Sequence, residues 1–568
     1  IMKNIKSILL LMLAIFVVSC VEVEPDYKDF PTKDVDFVFE VEGNEYTTDF
    51  YYVSPIKFKN TSFKKGALSW DFNGDGKVDS KEENPTYKYD AAGKYYVTLT
   101  VEGVGSRTYP VQVMDITPVL SIATQSDSLV LVDQSVIELA VELPNPEGKE
   151  CSFVWEFEEG TTLADGTPIS TYEGENPGAL KFKNIGSNKI TLKTRFDVAE
   201  GGENRALDPS FVNIQVAYTE EVPTLYYASY GGNVKALKVI PEGTLPEGVS
   251  NKPFDMGVSC GVTPQNLVYA SVDGSDFIYI IDSGKNFGYQ NDTDGVLGDG
   301  KITVMSADGT YANLVITNVG GHAFSDPFHG CVSADGANLL YTDRNNGVSA
   351  VALTARGEVE KRLQSNVSSY NVVNNNTLGY YGRGIAYGAA HSAIYQASDG
   401  VYWWPKNYNA AGIFRFRQSD IGVTDAAPTK ILLDGATLKA FTLDEKRKHM
   451  YCFLTSGEAG VGFAQYPLVK FEEGLGVKDY TTFVKMAVAP IAGATDSKEA
   501  LYVAQFALDK ETGNVYFGFT PDGDSDRPTG GLYYYDYAAG TVVKTPIKNT
   551  ENDKIIGICI NPRKTQLF

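Results

Sequence analysis

Short runs of Val, Leu, Ile and Tyr, separated by turns rich in Gly, Asp and Asn, recur along the C-terminal part of the chain from about Pro223 to Phe568. The clearest unit spans residues 507–543, where two β-rich runs flank a segment of Gly, Pro and Asp. Runs of β-branched and aromatic residues bounded by such turns predict strands joined in a meander. We therefore expect this part of the chain to be all-β.

Six units of this kind follow one another at a spacing of roughly 55 residues, which indicates stacked supersecondary units. The other five lie at residues 225–240, 267–282, 339–353, 394–416 and 450–468. Four-stranded units stack without long exposed edges when they close radially. The repeat therefore predicts a β-propeller of six to eight blades over residues 223–568, with a two-sheet sandwich or a β-helix as the alternative.

The two ends of this region each read as an incomplete unit. Residues 555–562, followed by 565–568, are strand-like, whereas residues 225–240 open the region as a partial unit. We expect these two segments to pair and to close the ring.

The first residues have the layout of a secretory signal. Lys3 and Lys6 precede an apolar run at residues 8–18, which is too short to span a membrane as a helix. The sequence VVSC that ends at Cys20 resembles the lipobox of Gram-negative lipoproteins. The resemblance implies that residues 1–19 are a signal peptide and that Cys20 is lipidated; the alternative is an ordinary signal peptide with an unrelated cysteine.

Residues 20–34 form an acidic tether that begins VEVEPDYKD after Cys20. An acidic tract at this place resembles the export tag of lipoproteins that reach the outer face of the cell, and it also suits a solvated, disordered tether. The whole chain carries a formal net charge of -22 with a pI near 4.7. This charge argues against nucleic acid or an anionic lipid surface as a partner, because both require a basic surface.

The remaining cysteines are widely spaced within strand-like runs. They are Cys151, Cys260, Cys331, Cys452 and Cys559. Such spacing does not form a disulfide framework, and we expect most of these side chains to be small buried apolar groups.

Residues 35–114 predict a compact β domain. They contain WDFNGDG at 70–76, NPTYKY at 84–89 and GKYYVTLTV at 93–101. These motifs closely resemble the PKD family, with Asn73 inserted relative to the family's turn. The resemblance implies an immunoglobulin-like sandwich of an extracellular protein, with Trp70 in its core and an alternating strand at 93–101.

The turn after Trp70 also matches the calcium-loop pattern D-x-[DN]-x-[DN]-G-x5-E. The matching residues are Asp71, Asn73, Asp75, Gly76, Lys77, Asp79 and Glu82. Oxygen ligands at alternate positions and a closing carboxylate suit Ca²⁺, and because strands flank the loop the ion would be structural. The alternative is that Asp71 and Asp75 only cap the turn through bonds to the backbone.

A second domain at residues 115–218 repeats part of this pattern. WEF at 155–157 corresponds to WDF at 70–72, and GSNKITL at 186–192 corresponds to the strand at 93–99. The NP segment and the calcium loop have no counterpart. We expect a degenerate PKD-like, immunoglobulin-like sandwich, so that the pair forms a spacer before the propeller.

Aromatic side chains beside turn residues are the candidate ligand contacts of the propeller. They are Trp403, Trp404, Tyr380 and Tyr381, with Arg383 as a partner for a carboxylate. Flat rings with a polar edge stack on sugar rings or on peptide side chains. Neighbouring strand residues point in opposite directions, which makes one of the two tryptophans a candidate for exposure. The alternative is packing between blades.

Signals for catalysis are few. His322 and His329 flank Asp326 in GGHAFSDPFHG, a spacing that permits a metal site on one loop, with loop or core histidines as the alternative. The motifs G-x-S-x-G and H-E-x-x-H do not occur. The Asp-rich segments 291–301 and 522–527 do not complete the calcium pattern, and we expect solvated loops there. No catalytic residue is assigned.

The order of lipobox, PKD-like repeats and terminal propeller resembles accessory lipoproteins of TonB-dependent transporters and their SusD-like lids. The resemblance implies an outer-membrane lipoprotein that faces the cell exterior. It also implies binding of an extracellular glycan or peptide for nutrient uptake, with a SusC/SusD-like transporter complex as partner. Calcium is the one cofactor expected, in a structural role. The alternatives are a propeller-type polysaccharide hydrolase or lyase, and a surface adhesin or scaffold.

Overall fold

The computed structural model describes residues 34–568 outside a set of internal segments. Those segments are 44–49, 53, 124–128, 145–149, 197–204, 242, 285–299, 318–326, 344–346, 358–370, 374–392, 407–411, 418–428, 433–436, 457–461, 469–483, 488–502, 504, 520–529 and 544. Every regular element in the described residues is a β-strand. The all-β class expected from the sequence is confirmed. Cys20 and the predicted signal sequence lie outside the described residues.

Two sheets form the first sandwich, with the strand orders β1-β3-β5 and β2-β7-β6-β4. The strands are β1 (Phe37–Val41), β2 (Phe50–Tyr51), β3 (Ile56–Asn60), β4 (Leu68–Asp71), β5 (Thr86–Tyr87), β6 (Gly93–Val101) and β7 (Gly105–Met114). Val97 and Leu99 of β6 are fully buried, while the Thr98 hydroxyl lies on the outer face, 2.8 Å from that of Thr108. One face of β6 therefore forms the core, as its alternating sequence predicts.

The second sandwich contains a larger sheet of order β13-β11-β15-β17-β9 and the two-stranded sheets β10-β8 and β12-β14, with β16 beside β15. The strands are β8 (Val119–Ile122), β9 (Val130–Leu131), β10 (Leu139–Glu142), β11 (Cys151–Phe157), β12 (Thr161–Leu163), β13 (Thr171–Glu173), β14 (Leu180–Phe182), β15 (Asn184–Phe196), β16 (Arg205–Ala206) and β17 (Ser210–Ala217).

Both sandwiches use the same tryptophan arrangement in their cores. The rings of Trp70 and Phe72 stack at 14° with 6.0 Å between centroids, and those of Trp155 and Phe157 stack at 7° with 6.5 Å. Each indole Nε1 donates a 2.9 Å hydrogen bond to a backbone carbonyl, of Glu82 in the first sandwich and of Gly174 in the second. The internal repeat of the sequence is thus a repeat of core packing.

The described parts of residues 222–568 form six four-stranded antiparallel sheets, beside the short strand β20 (Ser250–Asn251). We name these sheets blades I to VI. Blade I comprises β42 (Ile555–Thr565), β18 (Val222–Ser229), β19 (Asn233–Lys238) and β21 (Phe254–Ser259). Blade II comprises β22 (Pro264–Val272), β23 (Ser275–Asp282), β24 (Lys301–Ser306) and β25 (Ala312–Thr317). Blade III comprises β26 (Pro327–Val332), β27 (Asn338–Asp343), β28 (Gly347–Ala352) and β29 (Asn371–Val373).

The last three blades have the same strand order as blades II and III. Blade IV comprises β30 (Tyr395–Gln396), β31 (Val401–Lys406), β32 (Gly412–Arg417) and β33 (Thr429–Leu432). Blade V comprises β34 (Thr437–Asp444), β35 (His449–Ser456), β36 (Gly462–Pro467) and β37 (Val484–Ala487). Blade VI comprises β38 (Ala507–Leu508), β39 (Val515–Phe519), β40 (Gly531–Asp536) and β41 (Thr541–Val542).

The six sheets pack face to face in a closed ring, so the region is a six-bladed β-propeller. Each pair of neighbouring blades shares one apolar core. The pairs of residues that meet there are Tyr226 and Ile280 (I and II), Tyr279 and Tyr341 (II and III), Leu340 and Trp404 (III and IV), Trp403 and Met450 (IV and V), Phe453 and Phe517 (V and VI), and Leu532 and Tyr227 (VI and I). Strands inside the blades, such as β23 and β39, are buried on both faces, which explains why they are continuous apolar runs.

The ring closes with strands from the two ends of the propeller sequence. β42 pairs with β18 in antiparallel register, with Ile560 opposite Leu225 and Ile558 opposite Tyr227. β42 thereby becomes the innermost strand of blade I, which otherwise contains the first strands of the propeller. The predicted pairing of these segments is confirmed.

The propeller is joined to the second sandwich by more than the chain connection. Asn184 and Ile185 of β15 pair in parallel with β20 of the propeller. Gln566 accepts a backbone hydrogen bond from Tyr218 at 3.4 Å, and its side-chain amide donates to the Thr219 carbonyl at 3.1 Å. The segment after the closing strand therefore ties the ring to the sandwich that precedes it.

Candidate functional site

The six innermost strands enclose a central cavity of about 310 Å³. Its polar and aromatic lining comes from different blades: Asn266, Tyr269, His329, Tyr395, Gln396, Phe441, Thr442, Phe506 and Lys510. Ligand sites are concave, largely apolar and carry a few placed polar groups. This cavity has that character, and it is the candidate functional site.

The inner strands begin at one end of the ring, which we call the upper end. Near this end, several of them have an irregularity in their pairing with the next strand of the blade. The pairing register shifts by one residue immediately before Asn266, before His329 and before Ala440. In β42 a shift of the same kind precedes Gly557. Bulges of this kind turn a side chain out of its regular direction. They place the residues that follow them at one level of the channel.

Asn266 joins blade II to blade I at this level. Its Oδ1 accepts a 3.2 Å hydrogen bond from the backbone N–H of Ile558. The two inner strands approach so closely that a Cβ on Gly557 would lie 2.8 Å from the Asn266 Cα. Glycine is therefore required at position 557, and the amide nitrogen of Asn266 bonds to none of the described residues.

His329 joins blade III to blade IV in a similar way. Its Nδ1 accepts a 3.3 Å hydrogen bond from the Ile394 N–H, and its own backbone N–H donates to the Thr342 hydroxyl at 3.0 Å. Burial lowers the pKa of the imidazole from 6.5 to about 3. The ring is therefore neutral, and because Nδ1 is an acceptor the hydrogen is on Nε2.

Gln505 is the corresponding residue of blade VI. It lies between Val503, which pairs with Phe519, and Ala507, which pairs with Tyr516. Between these two pairs the inner strand has one residue more than its partner strand. The side chain is 1% exposed, and neither its Oε1 nor its Nε2 has a hydrogen-bond partner among the described residues. A buried amide without partners is unfavourable for folding.

The lower end of the channel is held by a network of side chains. The Tyr269 hydroxyl donates to Asp276 at 2.9 Å, and the Asp276 carboxylate lies 3.5 Å from the Arg563 guanidinium. Gln396 accepts from the Ala334 N–H at 2.7 Å and donates to the Gly400 carbonyl at 3.3 Å. The polar groups at this end are therefore already bonded within the protein, in contrast to those at the upper end.

The two tryptophans predicted to contact a ligand are both buried. Trp403 is 6% exposed and Trp404 is 0% exposed. They point to opposite faces of β31, as expected for neighbours on a strand, but each face packs against another blade. The expectation that one of them is exposed is wrong, because both faces of a propeller sheet are covered. Tyr380, Tyr381 and Arg383 lie outside the described residues.

Only one of the two histidines of the GGHAFSDPFHG segment lies among the described residues. His329 lies on β26 and faces the channel, whereas His322 and Asp326 lie outside the described residues. Within the described parts of the chain, no group of three or more His, Cys, Asp or Glu side chains is placed to hold a metal ion.

The carboxylates of the predicted calcium loop bond to the backbone of the loop. Asp71 accepts from Gly74 N–H at 2.7 Å and from Gly76 N–H at 2.9 Å, and Asp79 accepts from Phe72 N–H at 2.7 Å. The Lys77 backbone N–H donates to the Asp75 carboxylate at 2.8 Å and, together with the Lys77 ammonium at 3.0 Å, lowers the pKa of that carboxyl. The loop is thus capped by its own residues. Calcium binding by Asp71, Asn73, Asp75, Lys77, Asp79 and Glu82 stays a prediction.

A second cavity of about 370 Å³ lies between blades I and VI, next to β20. Its walls are mainly apolar, including Leu237, Leu532 and the stacked pair Tyr516 and Tyr534. Lys238, which also lines it, directs its ammonium to four oxygen acceptors of the protein. We therefore place the candidate site in the central channel, where polar groups remain available.

Asn266 and Gln505 were not identified from the sequence, and His329 was considered only as a metal ligand. The three residues are far apart in the chain and share no motif. Only the register shift that precedes each of them places them at one level. To find these residues from the sequence, one would have to align the blades with one another. That alignment depends on knowing where each inner strand begins.

No helix in the described parts of the chain is long and apolar enough to cross a membrane. No family model matches the chain, and none of the curated proteins matches it. Among solved structures, the chain is similar to a quinonprotein alcohol dehydrogenase-like protein from Bacteroides thetaiotaomicron VPI-5482. The identity is 13%, the match covers 77% of this chain and 98% of that chain, and the TM-score is 0.38.

A second similar structure is a structural genomics protein of unknown function from the same organism. The identity is 14%, the match covers 77% of this chain and 94% of that chain, and the TM-score is 0.32. At these values neither structure bears on the function of this chain. The six-bladed architecture stands on the strand pairing and the shared cores described above.

Proposed function

We propose that the chain is a lipid-anchored protein of the outer cell surface that binds an extracellular glycan or peptide in the central channel of its propeller. In this proposal it delivers the ligand to a TonB-dependent transporter with a SusD-like partner. The observation that carries the proposal is the central cavity itself. Uncharged hydrogen-bonding side chains from several blades converge there, and those at the upper end keep donors that bond to none of the described residues.

The chemistry of the lining suits a neutral, hydroxyl-bearing or amide-bearing ligand. Asn266 and neutral His329 offer N–H donors at the upper end, Thr442 adds a hydroxyl, and the rings of Tyr395 and Phe441 add apolar surface. Sugars and peptides both present donors and acceptors beside apolar faces. None of the described residues that line the cavity is an aspartate or a glutamate. The lining therefore favours binding of a ligand over its cleavage by a pair of carboxylates.

The two sandwiches support a role in presentation. They precede the propeller in sequence, and the second is tied to it by the β15–β20 pairing and by Gln566. A lipid at Cys20, followed by the acidic tether and two sandwiches, would hold the channel away from the membrane surface. Calcium bound at the first sandwich would add rigidity to this spacer.

Binding is tested by titration calorimetry of the full chain with neutral oligosaccharides and with tripeptides. We expect at least one of these probes to bind, and binding to weaken at least tenfold in Asn266→Ala. The matched control is Thr98→Ala, which removes a hydroxyl from the exposed face of β6 and leaves the channel intact. Failure of every probe to bind, or equal weakening in both variants, would contradict the proposal.

The transporter partner is tested by extracting the lipidated protein from native outer membrane in mild detergent. We expect a transporter and a SusD-like protein to co-purify in stoichiometric amounts. Recovery of the chain alone would exclude a stable uptake complex. It would turn attention to the polymer-degrading enzyme and adhesin alternatives.

A further inference from the structure

Gln505 is a buried polar side chain that the packing of the propeller does not explain. Its amide is enclosed, and the described residues satisfy neither its oxygen nor its nitrogen. A buried unpaired amide opposes folding, and an apolar side chain of similar size would fill the same space without this cost. A residue that breaks a folding rule in this way is expected where it has another role.

The position of Gln505 connects this unpaired amide with the channel. Gln505 directly precedes Phe506 and Ala507, which both line the central cavity. It lies at the irregular point of its inner strand, at the place that Asn266 and His329 occupy on blades II and III. Asn266 and His329 line the cavity at this level, and the enclosed Gln505 amide lies directly behind the lining, next to Phe506.

The three side chains have complementary hydrogen-bonding capacity. Asn266 uses its oxygen on the Ile558 N–H and keeps its amide hydrogens. His329 uses Nδ1 on the Ile394 N–H and keeps the Nε2 hydrogen. Gln505 adds both a carbonyl acceptor and an amide donor. A ligand with hydroxyl groups satisfies this set, because a hydroxyl both donates and accepts.

The size and charge of the cavity further limit the class of ligand that it can bind. At about 310 Å³ it lies at the lower end of the range of roughly 300–1,000 Å³ for small-molecule sites. The level formed by Asn266, His329 and Gln505 carries no formal charge, because the imidazole is neutral. Lys510 is the one charged residue among the described residues of the lining, and it is not part of this level. The level therefore suits one uncharged ring better than a polymer or an ion.

We propose that Asn266, His329 and Gln505 form a binding level for a single uncharged sugar ring, and that the Gln505 amide turns into the cavity when the ring binds. This inference rests on the proposed function, since it names the ligand class of the same channel. The bound ring provides the hydrogen-bond partners that the described residues do not give to Gln505.

The test is Gln505→Met in the full chain, studied by calorimetric titration with neutral monosaccharides and disaccharides and by thermal unfolding. Methionine keeps the length of the side chain and removes the amide. We expect the variant to lose at least tenfold in sugar affinity and, without ligand, to melt at a higher temperature than the wild type. A residue with a merely structural role would lower the melting temperature on substitution.

The matched control is Gln265→Met, because Gln265 is another buried glutamine of an inner strand, at 5% exposure, whose amide, unlike that of Gln505, is not both enclosed and unpaired. This control should leave sugar affinity unchanged and should not raise the melting temperature. Unchanged sugar affinity in Gln505→Met, or a lower melting temperature, would overturn the inference and leave the proposed function standing. Binding of tripeptides alone would overturn the sugar assignment only, and no binding of any probe would overturn both.

Discussion

The ammonium of Lys238 donates a 2.6 Å hydrogen bond to the backbone carbonyl of Leu567, which lies 329 residues further along the chain. The same ammonium donates to the Thr565 carbonyl at 3.0 Å and to the Thr224 hydroxyl at 2.9 Å. Lys238 is 1% exposed, so these oxygens replace its water shell. This lysine therefore joins the end of the closing strand to the first strands of the propeller.

Lys238→Met should destabilise the propeller by about 2 kcal/mol, because it removes a hydrogen-bond donor from the Thr224 hydroxyl and from the half-buried carbonyls of Thr565 and Leu567. Denaturant unfolding monitored by tyrosine and tryptophan fluorescence measures the change. Lys64→Met is the control, since the ion pair of Lys64 with Asp34 is exposed and should contribute less than about 1 kcal/mol. Equal effects in the two variants would show that the buried contacts of Lys238 do not stabilise the ring.

The contribution of Lys238 to the stability of the propeller should rise with pH in the alkaline range. Burial lowers the pKa of Lys238 from 10.5 to about 8. Between these two values the unfolded chain holds the proton more strongly than the folded chain, so raising the pH favours the folded state. The rise should be on the order of 3 kcal/mol between pH 8 and pH 10.5. Burial raises the pKa of the Tyr226 hydroxyl and of the Cys260 thiol, and groups of this kind lower the stability of both proteins as the pH rises. The rise should therefore appear as a growing difference in stability between the wild type and Lys238→Met, and a constant difference would contradict it.

Gly513→Ala should destabilise blade VI more than Gly540→Ala. Both glycines have positive φ, at 85° and 67°, which strains an alanine by about 1 kcal/mol or more. A Cβ at position 513 would also lie 2.6 Å from Nε of Arg447, whereas position 540 is open. Arg447 is itself held by Asp444 at 3.0 Å and cannot move freely. Thermal unfolding compares the two variants, and equal losses would show that the Arg447 contact adds nothing.

Calcium should raise the melting temperature of the first sandwich if the acidic loop binds it as the sequence pattern predicts. Glu82→Gln removes the closing ligand of that pattern and leaves the capping bonds of Asp71 in place. The variant should therefore lose the calcium-dependent rise and keep the melting temperature measured in chelator. Scanning calorimetry of both proteins, first with chelator and then with calcium, measures the calcium-dependent change in melting temperature. Identical wild-type curves would mean that the loop is only a capped turn.

The repeat and the ring closure could be predicted because they depend on local patterns. Turn residues mark each blade, and the incomplete runs at 225–240 and 555–562 indicated their partner. The burial of Trp403 and Trp404 could not be obtained in this way. Alternation along a strand indicates two faces, but only the ring shows that another blade covers each of them.

The channel residues depend on a different kind of information. His329, Asn266 and Gln505 each follow an irregularity in strand pairing, and that irregularity is a property of the register. No residue type marks it, because alanine or glycine occupies the same place on blades V and I, at Ala440 and Gly557. The site therefore emerges from the alignment of the blades in three dimensions.

The central claim is that the propeller binds its ligand in the central channel, and hydrogen–deuterium exchange of the full chain with and without a bound sugar tests it most directly. We predict slower exchange in the upper parts of the inner strands, at Asn266 and His329 and around Gln505, with unchanged exchange in both sandwiches. Protection confined to the sandwiches, or to the outer strands of the blades, would contradict the account.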